Sequence, residues 1–179
     1  EGSFVEDRMV ALLRALGGDY VLDTNFAADL TIMEEANELI RRLTSNNIPI
    51  PQLTSCCPAW SVMAKKLFPE FKDCISMALT PMVITARMVK KDHPDARIID
   101  FTTLEADPED GLNEGTSMGR GFAVGGGVAA AVVEAIKHID PTREVQIEYG
   151  DGLRECKKML MMAKAGKRNG YLLEGMGCP

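Results

Sequence analysis

The sequence lacks the features by which a protein binds membranes or nucleic acids. No apolar run reaches the roughly 18 residues that a membrane-spanning helix needs, and the first residues, EGSFVEDR, do not resemble a signal peptide. Its 20 Lys and Arg residues are outnumbered by 26 Asp and Glu residues, and no basic stretch is interleaved with aromatic residues. We therefore expect a cytoplasmic protein that has neither a membrane nor a nucleic acid as a partner.

The sequence also lacks a cysteine pattern typical of disulfide bonds and a phosphate-binding motif. Five cysteines are an odd number, and beside 11 methionines they indicate reduced thiols or cluster ligands over a disulfide framework. Cys74 and Cys156 are interpreted as core or surface thiols, and both histidines as structural. The glycine-rich stretch 119–125 has neither the dinucleotide-binding pattern nor the P-loop pattern, so a nucleotide-binding module is a weak alternative.

A regular alternation of helix and strand signals runs along the chain. Helices are predicted over residues 10–16, 29–43, 60–68, 81–91, 128–136 and 152–166. Strands are predicted over residues 20–23, 48–53, 96–100, 145–149 and 171–174. This alternation is typical of an α/β fold with largely parallel sheets flanked by helices, and the 46% of apolar residues suffices for one well-buried core.

The sequence TSCCPAW, residues 54–60, sets two adjacent thiols where a predicted strand gives way to a helix. Pro58 suits the first helical turn, so Cys56 and Cys57 would lie beside free backbone N–H groups and the positive end of a helix dipole. Such a site favours thiolates, which act as nucleophiles or metal ligands. Adjacent residues cannot easily aim both sulfurs at one atom, so one would ligate and the other stay free. Two buried apolar thiols in a turn are an equally weighted alternative on this pattern alone.

TSCCPAW resembles the first cluster-binding signature of the catalytic domain of iron-only ([FeFe]) hydrogenases. The resemblance extends to DTNFAADLTIMEE at residues 23–35, to the glycines of residues 121–128, and to EGMGCP at residues 174–179, in the family's order. It implies a two-lobed α/β fold like the hydrogenase H-domain. Residues 1–179 would form a single, incomplete H-cluster domain.

The resemblance also implies roles for the cysteines. Cys57 and Cys178 would be ligands of the [4Fe-4S] cubane of the H-cluster, which joins that cubane to a diiron subcluster. Cys56 would be the unligated cysteine that exchanges protons with the diiron subcluster. Further residues would contact the cofactor, namely Met176, Phe122 and Pro81; ordinary core filling is the alternative for Met176.

A proton relay is implied on the first long helix. Glu35 and Glu38 are three residues apart and share a helical face. The family correspondence places them, with Ser76, in a relay that leads to Cys56, and Arg42 would mark the outer end. A solvated face of glutamates is the alternative.

The chain departs from the family in two places. The family's second signature, a Pro-Cys followed by paired lysines, is absent before the glycine loop, and the third signature stops at Cys178-Pro179. Two of the expected cubane ligands are therefore missing. We hypothesise that the chain omits a segment of a longer protein near residues 97–100.

The function implied is the reversible reduction of protons to H2, with electrons from a ferredoxin or an accessory iron–sulfur domain. Hydrogenase maturation factors would install the cofactor. The alternatives are a non-catalytic, hydrogenase-like H2 sensor or iron–sulfur assembly factor, and the nucleotide-binding module. Such non-catalytic relatives tend to replace the cysteine at Cys56, so its retention favours an enzyme.

Overall fold

The computed structural model describes residues 6–45, 47–99, 119, 121–122 and 124–177. Its helices are α1 (Glu6–Ala15), α2 (Asn25–Thr44), α3 (Pro58–Leu67), α4 (Pro81–Asp92), α5 (Gly127–Ile139) and α6 (Gly152–Lys164), with a 3-10 helix at Pro69–Cys74. Its strands are β1 (Gln52–Leu53), β2 (Gln146–Asp151) and β3 (Tyr171–Met176). Within these residues, no helix is long and apolar enough to cross a membrane.

The strands form one parallel sheet in the order β1-β3-β2. The helix α6 connects β2 to β3, and parallel neighbours require such a crossover. The central strand β3 is buried, and Leu172, Leu173 and Glu174 are fully inaccessible. The predicted α/β fold with a parallel sheet is confirmed; the described residues contain a single sheet, and a second lobe stays an expectation.

Two apolar clusters lie on opposite faces of the sheet, because successive side chains of a strand point to opposite faces. Leu173 packs with Trp60 of α3 and Leu160 of α6. Leu172 packs with Leu39 of α2 and with residues of α5. The sheet therefore separates α2 and α5 from α3 and α6, and the segment that links β1 to α3 lies where the two layers meet.

All six predicted helices are present, but the strand predictions are less accurate. Residues 20–23 form no strand, and Tyr20 is 68% exposed; the Asp23 carboxylate accepts the Asn25 N–H at 2.9 Å, so this segment leads into α2. Residues 96–99 also form no strand, and residue 100 lies outside the described part of the chain. Of the predicted strand 48–53, β1 keeps only two residues, because Pro49 and Pro51 have no N–H to donate to a ladder.

Candidate functional site

The two adjacent cysteines lie in a short link between β1 and α3. Cys57 is the N-cap of α3, with extended backbone angles, and Pro58 is the first helical residue, as the sequence predicted. Trp60 anchors the link, because its buried indole N–H donates to the carbonyl of Thr54 at 3.1 Å. The position of both thiols is therefore set by a core side chain.

Cys57 meets the end of the central strand. Its Sγ accepts the backbone N–H of Gly177 at 3.1 Å. A Cβ atom on Gly177 would lie 2.5 Å from the Cβ of Ala59 and 3.4 Å from the Cys57 sulfur, so this approach requires glycine. Cys178, the predicted second ligand, follows Gly177 in the chain but lies outside the described residues.

Cys56 lies in a different environment from the one its sequence suggested. Burial, together with the nearby Glu35 and Glu174 carboxyl groups and the Cys57 thiol, raises the pKa of this thiol to about 12. The expectation of a thiolate at a helix N-terminus is therefore wrong for Cys56. Its side chain packs against the apolar cluster of α2 and α5. At neutral pH it is a thiol with a proton to donate.

Glu35 is buried on the face of α2 that covers the sheet, with 1% of its surface exposed. Burial, together with the Glu38 and Glu174 carboxyl groups, raises its pKa to about 8. The Ser55 backbone and the Ser76 hydroxyl lie close enough to oppose part of this shift, but neither Glu35 oxygen has a hydrogen-bond partner in the described structure. At neutral pH Glu35 is mainly a neutral carboxylic acid.

Glu38, Arg42 and Ser76 form a continuous hydrogen-bonded group. Ser76 Oγ donates to Glu38 Oε2 at 2.8 Å, and the Arg42 guanidinium binds Glu38 Oε1 at 2.6 and 3.0 Å. The Glu38 side chain is only 14% exposed, which excludes the solvated glutamate face. An open cavity of about 530 Å³ is lined by Glu38, Arg42 and Met77. Hydrogen bonds through Glu38 therefore connect this cavity to Ser76. Glu35 makes no side-chain hydrogen bond in the described structure, and it lies near both Ser76 and Cys56.

The predicted cofactor contacts surround the same region in part. Met176 is the last residue of β3 and precedes the glycine that binds Cys57. A second cavity, of about 370 Å³, is lined by Cys56, Ser76 and Thr80, and Pro81 begins α4 directly after Thr80. Phe122 is half-buried against the cluster of α2 and α5. Met176 therefore adjoins the glycine that binds Cys57, Pro81 follows a residue of the Cys56 cavity, and Phe122 packs against the cluster of α2 and α5.

One residue that sequence reasoning left without a role is Glu174. It is fully buried in β3, where its carboxylate accepts the N–H of Gly126 at 3.1 Å and that of Ala129 at 2.7 Å. Burial raises the pKa of Glu174, although these two amides oppose the shift. The sequence did contain a signal for this role, because an acidic residue in the middle of a buried strand is rare unless its carboxylate is paired or hydrogen-bonded.

The residues present fit part of an iron–sulfur ligand set. Cys57 offers a half-buried sulfur that accepts a backbone N–H, and hydrogen bonds to sulfur tune such clusters. Within the described ranges, no group of three or more Cys, His, Asp or Glu residues could hold a metal ion. Cys156 does not supply a third ligand, because its buried thiol donates to the carbonyl of Gly150 at 3.2 Å.

Comparison with known proteins identifies the family. The family described as iron only hydrogenase large subunit, C-terminal domain, matches residues 1–98 and 95–179, which together cover the chain. The chain belongs to this family. The iron-only hydrogenase resemblance of its motifs is thereby confirmed.

The relatives of this iron-only hydrogenase domain include hydrogenases and iron–sulfur cluster assembly factors. It is 41% identical over 99 residues to iron hydrogenase 1 of Clostridium pasteurianum, an alignment that covers 55% of this chain and 17% of that protein. It is 34% identical over 86 residues to a probable cytosolic Fe-S cluster assembly factor of Aedes aegypti, covering 48% of this chain and 18% of that protein. The alignments thus span less than a fifth of either relative.

Solved structures share the fold of the domain. The [FeFe]-hydrogenase HydA1 from Chlamydomonas reinhardtii superimposes with a TM-score of 0.66 at 20% sequence identity, over 98% of this chain and 71% of that one. The similarity supports the α/β fold of the family. The chain therefore belongs to a family that includes iron–sulfur oxidoreductases of the hydrogenase type.

Proposed function

We propose that this chain is part of the catalytic domain of an [FeFe] hydrogenase, which reversibly reduces protons to H2 with electrons from a ferredoxin-type donor. The observation that carries the proposal is the line of ionisable and hydroxyl groups from Arg42 through Glu38, Ser76 and Glu35 to Cys56. A protein that only binds a cluster needs ligands for it, but it needs no route for protons through a dry interior.

The chain would contribute part of the cofactor site. Cys57 and Cys178 would hold the cubane of the H-cluster, with Met176, Phe122 and Pro81 around the cofactor. When bound, the H-cluster supplies the redox chemistry by which protons become H2. The cubane ligand of the family's second signature would belong to the omitted segment near residues 97–100. The division of the family match into 1–98 and 95–179 supports that proposal.

The protein's own residues would handle the proton. Glu38 accepts hydrogen bonds from Ser76 and Arg42 beside the open cavity, so a proton arriving from water would first be shared with its carboxylate. Ser76 would pass it inward by exchanging its hydroxyl proton. Glu35 holds a proton at neutral pH and can give one up, which suits a carrier between Ser76 and the Cys56 thiol.

The test uses full-length protein produced with hydrogenase maturation factors. We expect Cys56→Ala to lose nearly all H2 evolution while iron and sulfide contents stay at the wild-type level. Cys74→Ala, a buried thiol of the core on α3's side of the sheet, is the matched control and should retain activity. Unchanged H2 evolution in Cys56→Ala would defeat the assignment.

A non-catalytic H2 sensor or iron–sulfur assembly factor is the second candidate. The similarity to a probable cytosolic Fe-S cluster assembly factor favours it. This candidate predicts bound iron and sulfide without H2 turnover after maturation. The nucleotide-binding module is weaker still, because the α5 amides of Gly126 and Ala129 are already bound to Glu174 and do not face a phosphate.

Location and partners belong to the same proposal. We place the protein in the cytoplasm, with a ferredoxin or an accessory iron–sulfur domain as the electron partner. One relative is a periplasmic [Fe] hydrogenase large subunit, 39% identical over 90 residues, so cell fractionation is a discriminating measurement. Reduced ferredoxin should drive H2 evolution by the matured protein.

A further inference from the structure

The Glu174 carboxylate joins two parts of the chain that are distant in sequence. Its Oε1 accepts the N–H of Gly126, and its Oε2 accepts the N–H of Ala129. Gly126 is the N-cap of α5 in the left-handed conformation, with φ at 81°, and it has no side chain with which to cap the helix. Glu174 therefore caps α5 from a different element, the central strand β3.

This contact lies between two segments that flank the candidate site. On one side, β3 continues from Glu174 through Met176 to Gly177, which binds Cys57. On the other side, the glycine loop that carries Phe122 closes on itself, since Val124 donates to the carbonyl of Gly121 and Gly127 donates to that of Val124. The Glu174 carboxylate thus adds a polar link between the loop and the strand end, beside the apolar packing of α5 on Leu172.

The Glu174 carboxylate is buried without a cation. In the part of the chain that the structure describes, its hydrogen-bond partners are backbone amides and it forms no salt bridge. Amides and the dipole of α5 together stabilise a carboxylate at a helix N-terminus. Its charge also reaches the relay, because it contributes to the raised pKa values of Glu35 and Cys56.

We propose that Glu174 is a positioning residue of the candidate site, which fastens the glycine loop and α5 to the strand end that carries Met176 and precedes Cys178 in the sequence. The part of the proposal that concerns the cofactor rests on the proposed function. The tether, meaning the hydrogen bonds from Gly126 and Ala129 to the Glu174 carboxylate, is independent of the proposed function. Loss of the carboxylate frees the loop without removing any residue that touches the cofactor.

The first test measures amide hydrogen exchange by NMR in the full chain without cofactor. We expect Glu174→Ala to speed exchange at Gly126 and Ala129 about tenfold, the effect of losing a good helix cap. Glu174→Gln keeps one acceptor at the same reach and should fall between Ala and the wild type. If Glu174→Ala does not fold, Glu174→Gln alone carries the comparison.

Two controls separate a tether from general destabilisation. Glu148→Gln changes a carboxylate on the neighbouring strand β2, which pairs with Arg168, and should leave exchange at α5 unchanged. Leu160→Ala creates a cavity on the opposite face of the sheet and should speed exchange throughout the core. Unchanged exchange at Gly126 and Ala129 in the Glu174 variants, or a uniform increase like that of Leu160→Ala, would overturn the proposal.

The second test concerns the cluster in full-length protein. After iron–sulfur reconstitution, Glu174→Ala should bind less iron than Glu148→Gln and give an altered electron paramagnetic resonance spectrum, with Glu174→Gln intermediate. Wild-type iron content and spectrum in Glu174→Ala would refute the positioning role. If the wild-type protein itself binds no cluster, the proposed function fails, and the exchange measurement still decides the tether.

Discussion

At the scale of single residues, a contact between Ala59 and Gly177 controls how closely the strand end approaches Cys57. A methyl group on Gly177 would lie 2.5 Å from the Ala59 Cβ, well inside van der Waals contact. Both residues belong to motifs that sequence reasoning quoted, but their contact joins positions more than a hundred residues apart in the chain. Only the folded structure shows that one constrains the other.

We predict that Gly177→Ala destabilises the protein by about 1–3 kcal/mol, the usual cost of overpacking. The displaced strand end should also leave the half-buried Cys57 thiol more accessible, so that it reacts faster with a labelling reagent. Ala59→Gly in the same chain should restore most of the stability and the low reactivity. Urea unfolding and thiol labelling measure both effects, and a double variant no more stable than Gly177→Ala would contradict the contact.

Glu35 illustrates how burial turns one carboxylate into a pH-dependent element of stability. Its pKa rises from 4.5 to about 8 in the folded state, so between these values the folded protein holds a proton that the unfolded chain releases. The free energy of unfolding must therefore fall as the pH rises through this window. Above about pH 8 both states are deprotonated and this dependence ends.

We expect Glu35→Gln to remove that dependence, because the amide is neutral at every pH. Relative to the wild type, the variant should gain stability between pH 5 and pH 8, by an amount on the order of a few kcal/mol. Urea unfolding at the two pH values measures it. Glu134→Gln, an exposed glutamate on α5, should show no such gain. A difference between Glu35→Gln and wild type that is the same at both pH values would refute the shift.

At the scale of elements, α2 is the helix that organises the relay. Its buried face includes Glu35 and Arg42 besides apolar residues, while Leu30 and Met33 are 38% and 42% exposed. The helix itself was predicted from its apolar spacing, but these two apolar residues of it remain partly exposed. Periodicity identifies a helix reliably, yet it does not identify which charged residues the tertiary structure buries.

Arg42 ties α2 to two neighbouring loops. Besides Glu38, its guanidinium donates to the carbonyl of Pro49 at 2.6 Å and to that of Asp73 at 3.2 Å. The sequence interpretation placed Arg42 at the outer end of the relay, and its side chain proves to be 96% buried, since only 4% of its surface is exposed. It therefore holds the segment before β1 and the segment before Ser76 at a fixed distance from α2.

Substitution of Arg42 by alanine should destabilise the protein by about 3–5 kcal/mol, because it leaves Glu38 partly buried without its cation. Arg42→Lys keeps the charge but not the planar fork, and should lose part of that amount. Thermal and urea unfolding measure the series. The neighbouring Arg41 is exposed, so Arg41→Ala is the matched control with an expected effect below about 0.5 kcal/mol. Equal effects at both arginines would contradict the buried role.

At the scale of the whole molecule, the question is whether the chain carries a complete ligand set. The family matches in two pieces that meet at residues 95–98, and the predicted strand 96–100 is not formed over residues 96–99. Ile99, an apolar residue that a strand would bury, is 71% exposed. Both observations fit the hypothesis of a segment omitted near residues 97–100.

We expect the protein isolated from its natural source to be heavier than the 19.5 kDa of this sequence, because it would include the segment near residues 97–100. Intact-mass measurement with peptide sequencing across residues 90–110 checks this. Peptides from a distant control region, residues 60–70, should match the sequence unchanged. A mass near 19.5 kDa would refute the hypothesis of an omitted segment.

The sequence by itself determined the family, the fold class and the helices, because these depend on local motifs, on apolar spacing and on helix-breaking residues. It also identified Cys56 and Cys57 as candidate site residues, and in the structure Cys57 contacts the end of β3. Sequence could not determine the short β1, since a strand forms only where a partner strand offers hydrogen bonds, and Pro49 and Pro51 limit what it can donate.

Only the tertiary structure decided the charge states and the hidden contacts. The thiol of Cys56, the protonated Glu35 and the capping role of Glu174 all arise from burial between α2, α5 and the sheet. Desolvation depends on what packs around a group, and those neighbours come from segments far apart in the chain. Motifs therefore named the residues of the site, and the packing of the folded chain set their chemistry.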